Sequence, residues 1–146
     1  MRRILVLWLA ALACAGDGAG LGPEGNPLGT TTGCEDAVCL SRDVQPLFTL
    51  NCAYAGCHAG TQPQQGMNLS EGVAYANIVD EPSAELPGMR RVRPSQPDSS
   101  YLVHKVQNTH SLVGGVGDRM PLGGTPLTAT EIGRIRSWIL LGAKNN

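Results

Sequence analysis

The sequence predicts a small all-α domain with long Gly- and Pro-rich loops, preceded by a disordered tether. Three observations carry this. Residues 128–142 form an apolar stripe at helical spacing with a start signal and a stop signal of their own. A second stripe at roughly helical spacing runs from Val44 to Leu50. No stretch alternates convincingly between apolar and polar residues, and no hairpin turn signal is present. The 146 residues are enough for one domain, and 19 Gly with 10 Pro imply long connections.

The N-terminus sets the compartment. Met1-Arg2-Arg3 is a short basic segment, Ile4 to Leu12 is apolar, and Ala11-Leu12-Ala13 is a small-residue cleavage signal. The apolar run is too short to span a bilayer, which needs about 20 residues. Residues 1–13 are therefore read as a secretory signal peptide of an exported bacterial protein. Cys14 follows at once, so Ala-Leu-Ala-Cys is similar to a bacterial lipobox with Ala11 where Leu is favoured. Lipidation of Cys14 is the expectation, which gives a membrane contact through a lipid anchor and a place in the periplasm or cell envelope. Ordinary cleavage after Ala13 is the alternative.

Residues 14–33 are rich in Gly, Pro and Thr and lack apolar periodicity. Such a segment cannot bury a core, and it reads as a flexible linker spanning roughly 25 Å. The folded domain is expected over residues 34–146. Its charge balance excludes one class of partner. The whole chain carries a net charge of −1, and loss of Arg2 and Arg3 would leave 9 basic and 12 acidic side chains. Nucleic acid calls for a basic face, which this chain lacks. Aromatic content is only 4% with a single Phe, so the core has room to borrow apolar bulk from a cofactor.

The other four cysteines fall into two pairs, each with four residues between its members. Cys34 and Cys39 read as a disulfide, the default in an oxidising compartment. Ser41, Arg42 and Asp43 then offer helix caps, and Val44, Leu47, Phe48 and Leu50 supply the stripe, with Pro46 in the first turn. This helix runs into Cys52-Ala53-Tyr54-Ala55-Gly56-Cys57-His58. Two cysteines ending in Cys-His are how haem is attached covalently, normally as C-x-x-C-H. Both thiols add across the vinyl groups, and the adjacent imidazole binds iron from the proximal side. Here two extra residues must bulge, and Ala53, Ala55 and Gly56 are small enough to allow it. A Cys52–Cys57 disulfide is the alternative.

Two weaker helices follow, one over Glu71 to Val79 capped by Ser70, one over Ser100 to Val106 capped by Asp98 or Ser99. A low-spin electron-transfer haem takes a second axial ligand, often Met or His. Met120-Pro121 lies in a loop flanked by glycines and is the expected distal iron ligand, with His104 and His110 as rivals and Met67 and Met89 further behind. The last helix carries Thr128 and Glu131 as a capping box. Ile132, Ile135, Trp138 and Ile139 form one face, and Gly142 stands just past its end. Arg90, Arg91 and Arg93 form the one basic cluster, read either as partners for haem propionates or as a solvated run.

In this order the segments resemble a class I cytochrome c domain. More closely, Asp43-Val44-Gln45-Pro46-Leu47-Phe48, Cys57-His58, Met67-Asn68-Leu69-Ser70, Arg91-Val92-Arg93-Pro94, Met120-Pro121 and Trp138-Ile139-Leu140-Leu141-Gly142-Ala143 resemble lipoprotein cytochromes of myxobacteria and planctomycetes. The resemblance covers Ser41 to Asn146. It implies a cytochrome c-like fold with haem c on Cys52 and Cys57, iron on His58 and Met120, and an unidentified redox protein as partner. It also implies that the N- and C-terminal helices cross, so that Phe48 meets Trp138.

Electron transfer, not enzymatic turnover, is the function this suggests. No Ser-His-Asp set, H-E-x-x-H motif or phosphate loop is present. Three alternatives stand beside it. One is a cell-envelope binding or scaffold lipoprotein on a cytochrome c-like frame, with both cysteine pairs oxidised and no haem. Another is a zinc site from Cys52, Cys57, His58 and a further His, disfavoured by an oxidising setting. The last is a thiol–disulfide oxidoreductase, disfavoured because such enzymes use C-x-x-C within a βαβ frame.

Overall fold

The computed structural model describes Cys34 and residues 36–146. The signal peptide expected over residues 1–13, Cys14 and the linker over residues 14–33 lie outside the described residues. Four short α-helices and several tighter or wider turns make up the fold, and no strand occurs among the described residues. The all-α expectation holds at that level.

Helix formation begins earlier than expected. A π-helical turn over Leu40–Val44 leads directly into α1, Gln45–Asn51. Asp43 does not cap the helix that follows it. It reaches backward, and its carboxylate accepts the Cys39 N–H at 2.8 Å. The wide turn has a local cause at its end. Pro46 has no N–H to return to the carbonyl of Arg42, so the regular bonding pattern cannot run through this point. Leu40, Val44, Leu47 and Phe48 are buried, the i, i+4, i+7, i+8 face of one continuous helical run. Leu50 does not join that stripe. Two residues on from Phe48 it lies about 200° around the helix, and it is 67% exposed.

The second helix is much shorter than expected. Only α2, Ala74–Ile78, is helical. Ser70 makes no side-chain cap; its carbonyl accepts the N–H groups of Val73 and Ala74 instead. Gly72 adopts φ +79, a left-handed conformation that ends any helix through this point. The third helix, α3, spans Tyr101–Gln107 after a 3₁₀ turn at Pro97–Ser99. Neither Asp98 nor Ser99 caps it. Ser100 holds the N-cap position, yet its hydroxyl is engaged with the Arg93 N–H and the Gln96 carbonyl.

The fourth helix, α4 at Ala129–Leu140, follows the expected pattern closely. Thr128 Oγ1 accepts the Glu131 N–H, and the Glu131 carboxylate accepts the Thr128 N–H at 2.7 Å. Ile135, Trp138 and Ile139 are buried, and Ile132 packs against the same core. The Trp138 indole N–H donates to the Lys144 carbonyl.

One cluster joins these faces. Phe48 and Trp138 both belong to it, each almost fully buried, together with Leu69, Val92, Val103 and Ile135. The α4 helix packs on the Leu40–Val44 turn, on α3 and on the Pro97–Ser99 turn. Cys34 and Cys39 are joined in a disulfide, with their Cα atoms 5.7 Å apart. Beside it, the far end of the chain returns. Asn146 accepts the N–H groups of Leu40 and Ser41 through its side-chain and backbone oxygens, and its amide donates to Asp36. Lys144 pairs with Asp36 at 3.0 Å.

Candidate functional site

Cys52, where α1 ends, opens a hydrogen-bonded loop. Its carbonyl accepts the N–H of Tyr54 and, on the return, that of His58 at 3.2 Å. Cys52 and His58 are thus drawn together while the chain between them turns outward after Ala53, which still packs against the core. Tyr54, Ala55 and Gly56 are all exposed, and Gly56 makes the turn at φ +83. His58 is then fixed from the far side. Its carbonyl accepts the Leu69 N–H at 2.8 Å, and the Cys57 carbonyl accepts that of Gln64 at 2.7 Å.

This loop forms one end of a cavity of about 490 Å³, a size in the range of cofactor sites. Leu47 and Phe48 of α1, Leu102 and Val106 of α3, and Ile135 of α4 supply apolar walls. Cys52, Cys57 and His58 line it, as does Met120 from the loop between α3 and α4. The four residues singled out in the sequence for haem attachment and iron ligation therefore share one cavity. Met67 lines it too, and two residues on the Leu69 N–H donates to the His58 carbonyl. Met120 stands on a separate support, where its N–H donates to the Lys105 carbonyl at 3.1 Å. The Met120–Pro121 peptide is cis.

The chemistry of the lining suits a covalently held metalloporphyrin. Cys52 and Cys57 are free thiols. Burial, with Cys57 nearby, pushes the Cys52 thiol up to about 11. Burial also holds the His58 imidazole below its ordinary range, which favours the neutral ring that a metal needs. His58 Nδ1 is buried with no hydrogen-bond partner. His110 Nδ1, outside the cavity, is unpartnered in the same way.

The rival histidines do not line the cavity. His104 has Thr109 Oγ1 against one ring nitrogen and the Asp98 carbonyl against the other, while His110 Nε2 sits 2.8 Å from the Gly117 carbonyl. Met89 is likewise absent from the lining. The zinc set is not gathered. Among the described residues the one cluster at metal-chelating distance is Cys34, Cys39 and Asp43, and both of those sulfurs are spent in the disulfide.

The arginines divide. Arg91 ties α2 to the Gln64–Gly66 turn by donating to the carbonyls of Asn77 at 2.6 Å and Gln65 at 2.8 Å. Arg90 donates to the Asp80 carbonyl. Arg91 also lines a small annex of about 60 Å³ that shares His58, Met67 and Met120 with the main cavity. Arg93 lines neither space.

Sequence reasoning missed one set of residues. Glu85, Tyr101 and Lys105 are grouped against the same region, with Glu85 lining both spaces. Glu85 and Lys105 stand 20 positions apart, and the residues between them carry no motif that would join them. Comparison with protein-family models, curated proteins and solved structures gives no match to the chain.

Proposed function

We propose that the protein is an electron carrier holding one covalently attached c-type haem on a cytochrome c-like frame. The observation that carries this reading is the convergence of Cys52, Cys57, His58 and Met120 on one apolar cavity. Cys52 and Cys57 would supply the thioether links, His58 the proximal iron ligand and Met120 the distal one. When bound, haem supplies one-electron chemistry at its iron. The chain's own residues do the rest. The α1, α3 and α4 walls exclude water. The Cys52 carbonyl, by accepting the His58 N–H, sets the imidazole beside the thiols. The separate anchoring of Met120 gives a soft thioether on its own loop. No substrate pocket is required, and the reading is of a carrier, not an enzyme.

The expected setting is the cell envelope. A signal peptide over residues 1–13 and a lipid at Cys14 would place the domain on a linker outside the cytoplasm, facing a redox protein.

The test is a pyridine haemochrome spectrum of the denatured full-length protein, expressed in a bacterial periplasm with haem-attachment machinery present. A c-type spectrum that stays with the polypeptide is expected, with loss of attachment in the Cys52→Ala/Cys57→Ala variant. A colourless protein with a Cys52–Cys57 disulfide would overturn the reading and leave an envelope scaffold lipoprotein on the same frame.

A further inference from the structure

The ligand loop rests on a buried ion pair that the reading above does not use. Lys105 Nζ donates to Glu85 Oε2 at 2.7 Å and to the Val116 carbonyl at 3.1 Å. The Tyr101 hydroxyl lies 3.1 Å from the same Glu85 oxygen and 3.2 Å from the same Val116 carbonyl. The two side chains of the ion pair are only 7% and 14% exposed. One residue on, the Gly117 carbonyl lies 2.8 Å from His110 Nε2. The loop sits directly on the ion pair here. A β-carbon at Gly117 would lie 2.8 Å from Glu85 Oε1 and 3.2 Å from Lys105 Nζ. Lys105 then acts a second time, since its own carbonyl accepts the Met120 N–H.

A buried ion pair is a poor way to gain stability, because desolvation offsets most of the attraction. What it supplies here is direction. Both donors, the Lys105 ammonium and the Tyr101 hydroxyl, are aimed at the Val116 carbonyl of a loop that has no regular structure between Gly114 and Thr128. An iron ligand must be held to a fraction of an ångström by its supports.

We propose that Lys105, held by Glu85 and Tyr101, is the positioning residue that locks the Val116–Met120 segment and presents the Met120 sulfur to the haem iron. This rests on the haem reading. Lys105 itself touches no iron. Its ammonium fixes the near end of the segment and its carbonyl fixes the far end.

The test uses the full chain with attached haem and the variants Lys105→Met, Lys105→Met/Glu85→Gln and Met120→Ala. The double variant leaves no unpaired buried charge, so it folds even where the single one does not. Two spectra are read. The pyridine haemochrome reports covalent haem. The weak near-infrared absorption of ferric haem bound by a thioether reports sulfur on iron.

Haem content is expected to be unchanged in the Lys105 variants. The equilibrium constant for sulfur on iron, read by titrating the band away with added imidazole, is expected to fall about fivefold in the Lys105 variants, the effect of losing one hydrogen bond that counts only in the locked loop. The band should be absent in Met120→Ala. An unchanged constant in the double variant overturns the proposal. Attached haem with no sulfur band in the wild-type chain overturns it too, while leaving the haem reading intact. No attached haem in the wild type overturns both.

Discussion

The two thiols of the attachment loop are chemically unequal. Cys57 is exposed on the bulged loop, whereas Cys52 is half-buried where α1 ends. With the Cys52 thiol pushed up to about 11, it carries about a hundredfold less thiolate at pH 8 than an ordinary cysteine. In the haem-free chain, iodoacetamide at pH 8 should label Cys57 at least about tenfold faster than Cys52, as read by peptide mass mapping. Equal rates would show that the Cys52 sulfur is not shielded as described. The bulge itself was legible in the sequence, because small residues stand where it must turn. The protection of Cys52 was not, since it comes from walls contributed by α1, α3 and α4.

At the scale of elements, α4 was legible because its signals are local. The capping box and the apolar face lie within a dozen residues, and nothing distant overrides them. Thr128→Ala should cost about 1 kcal/mol, measured as a shift in the urea midpoint. The Glu131 carboxyl, held down first by the Thr128 N–H, adds a pH dependence. Its folded pKa lies below its unfolded one, so its contribution is complete above the ordinary Glu range. It is lost as pH falls below the ordinary Glu range and through the depressed value. Glu131→Gln should remove that acid-side slope from the stability profile; an unchanged slope would show that the cap is not formed. The elements misjudged from sequence fail for equally local reasons. Gly72 takes a left-handed conformation that stops α2 from starting at Glu71. Pro46 breaks the bonding of a helical run that began six residues earlier, at Leu40.

The whole molecule has a core and a cavity that share walls. Leu47, Phe48, Leu102, Val106 and Ile135 belong to the central cluster and also line the space. Attached haem would therefore complete the core as well as bring a redox centre. Haem-loaded protein should melt on the order of 10 °C above the haem-free chain, by circular dichroism. Coincident melting would show that the cavity is not where the group binds. Long-range partnerships were the part of the site that sequence could not disclose. Glu85 and Lys105 meet only because α3 and the loop before it fold onto one flank. The tie that Arg91 makes between α2, at the Asn77 carbonyl, and the turn at Gln65 has no local sign either.

The contacts that Asn146 and Lys144 make with Asp36, Leu40 and Ser41 bring the two ends of the described domain side by side. Chain order and architecture are therefore separable in this protein. A few residues joining position 146 to position 36 would close the backbone into a ring, and the ring opened at the exposed residues Thr61 and Gln62 would give a circular permutant. In that permutant His58 and Met120 would keep their places around the cavity, but Met120 would precede the cysteines along the chain.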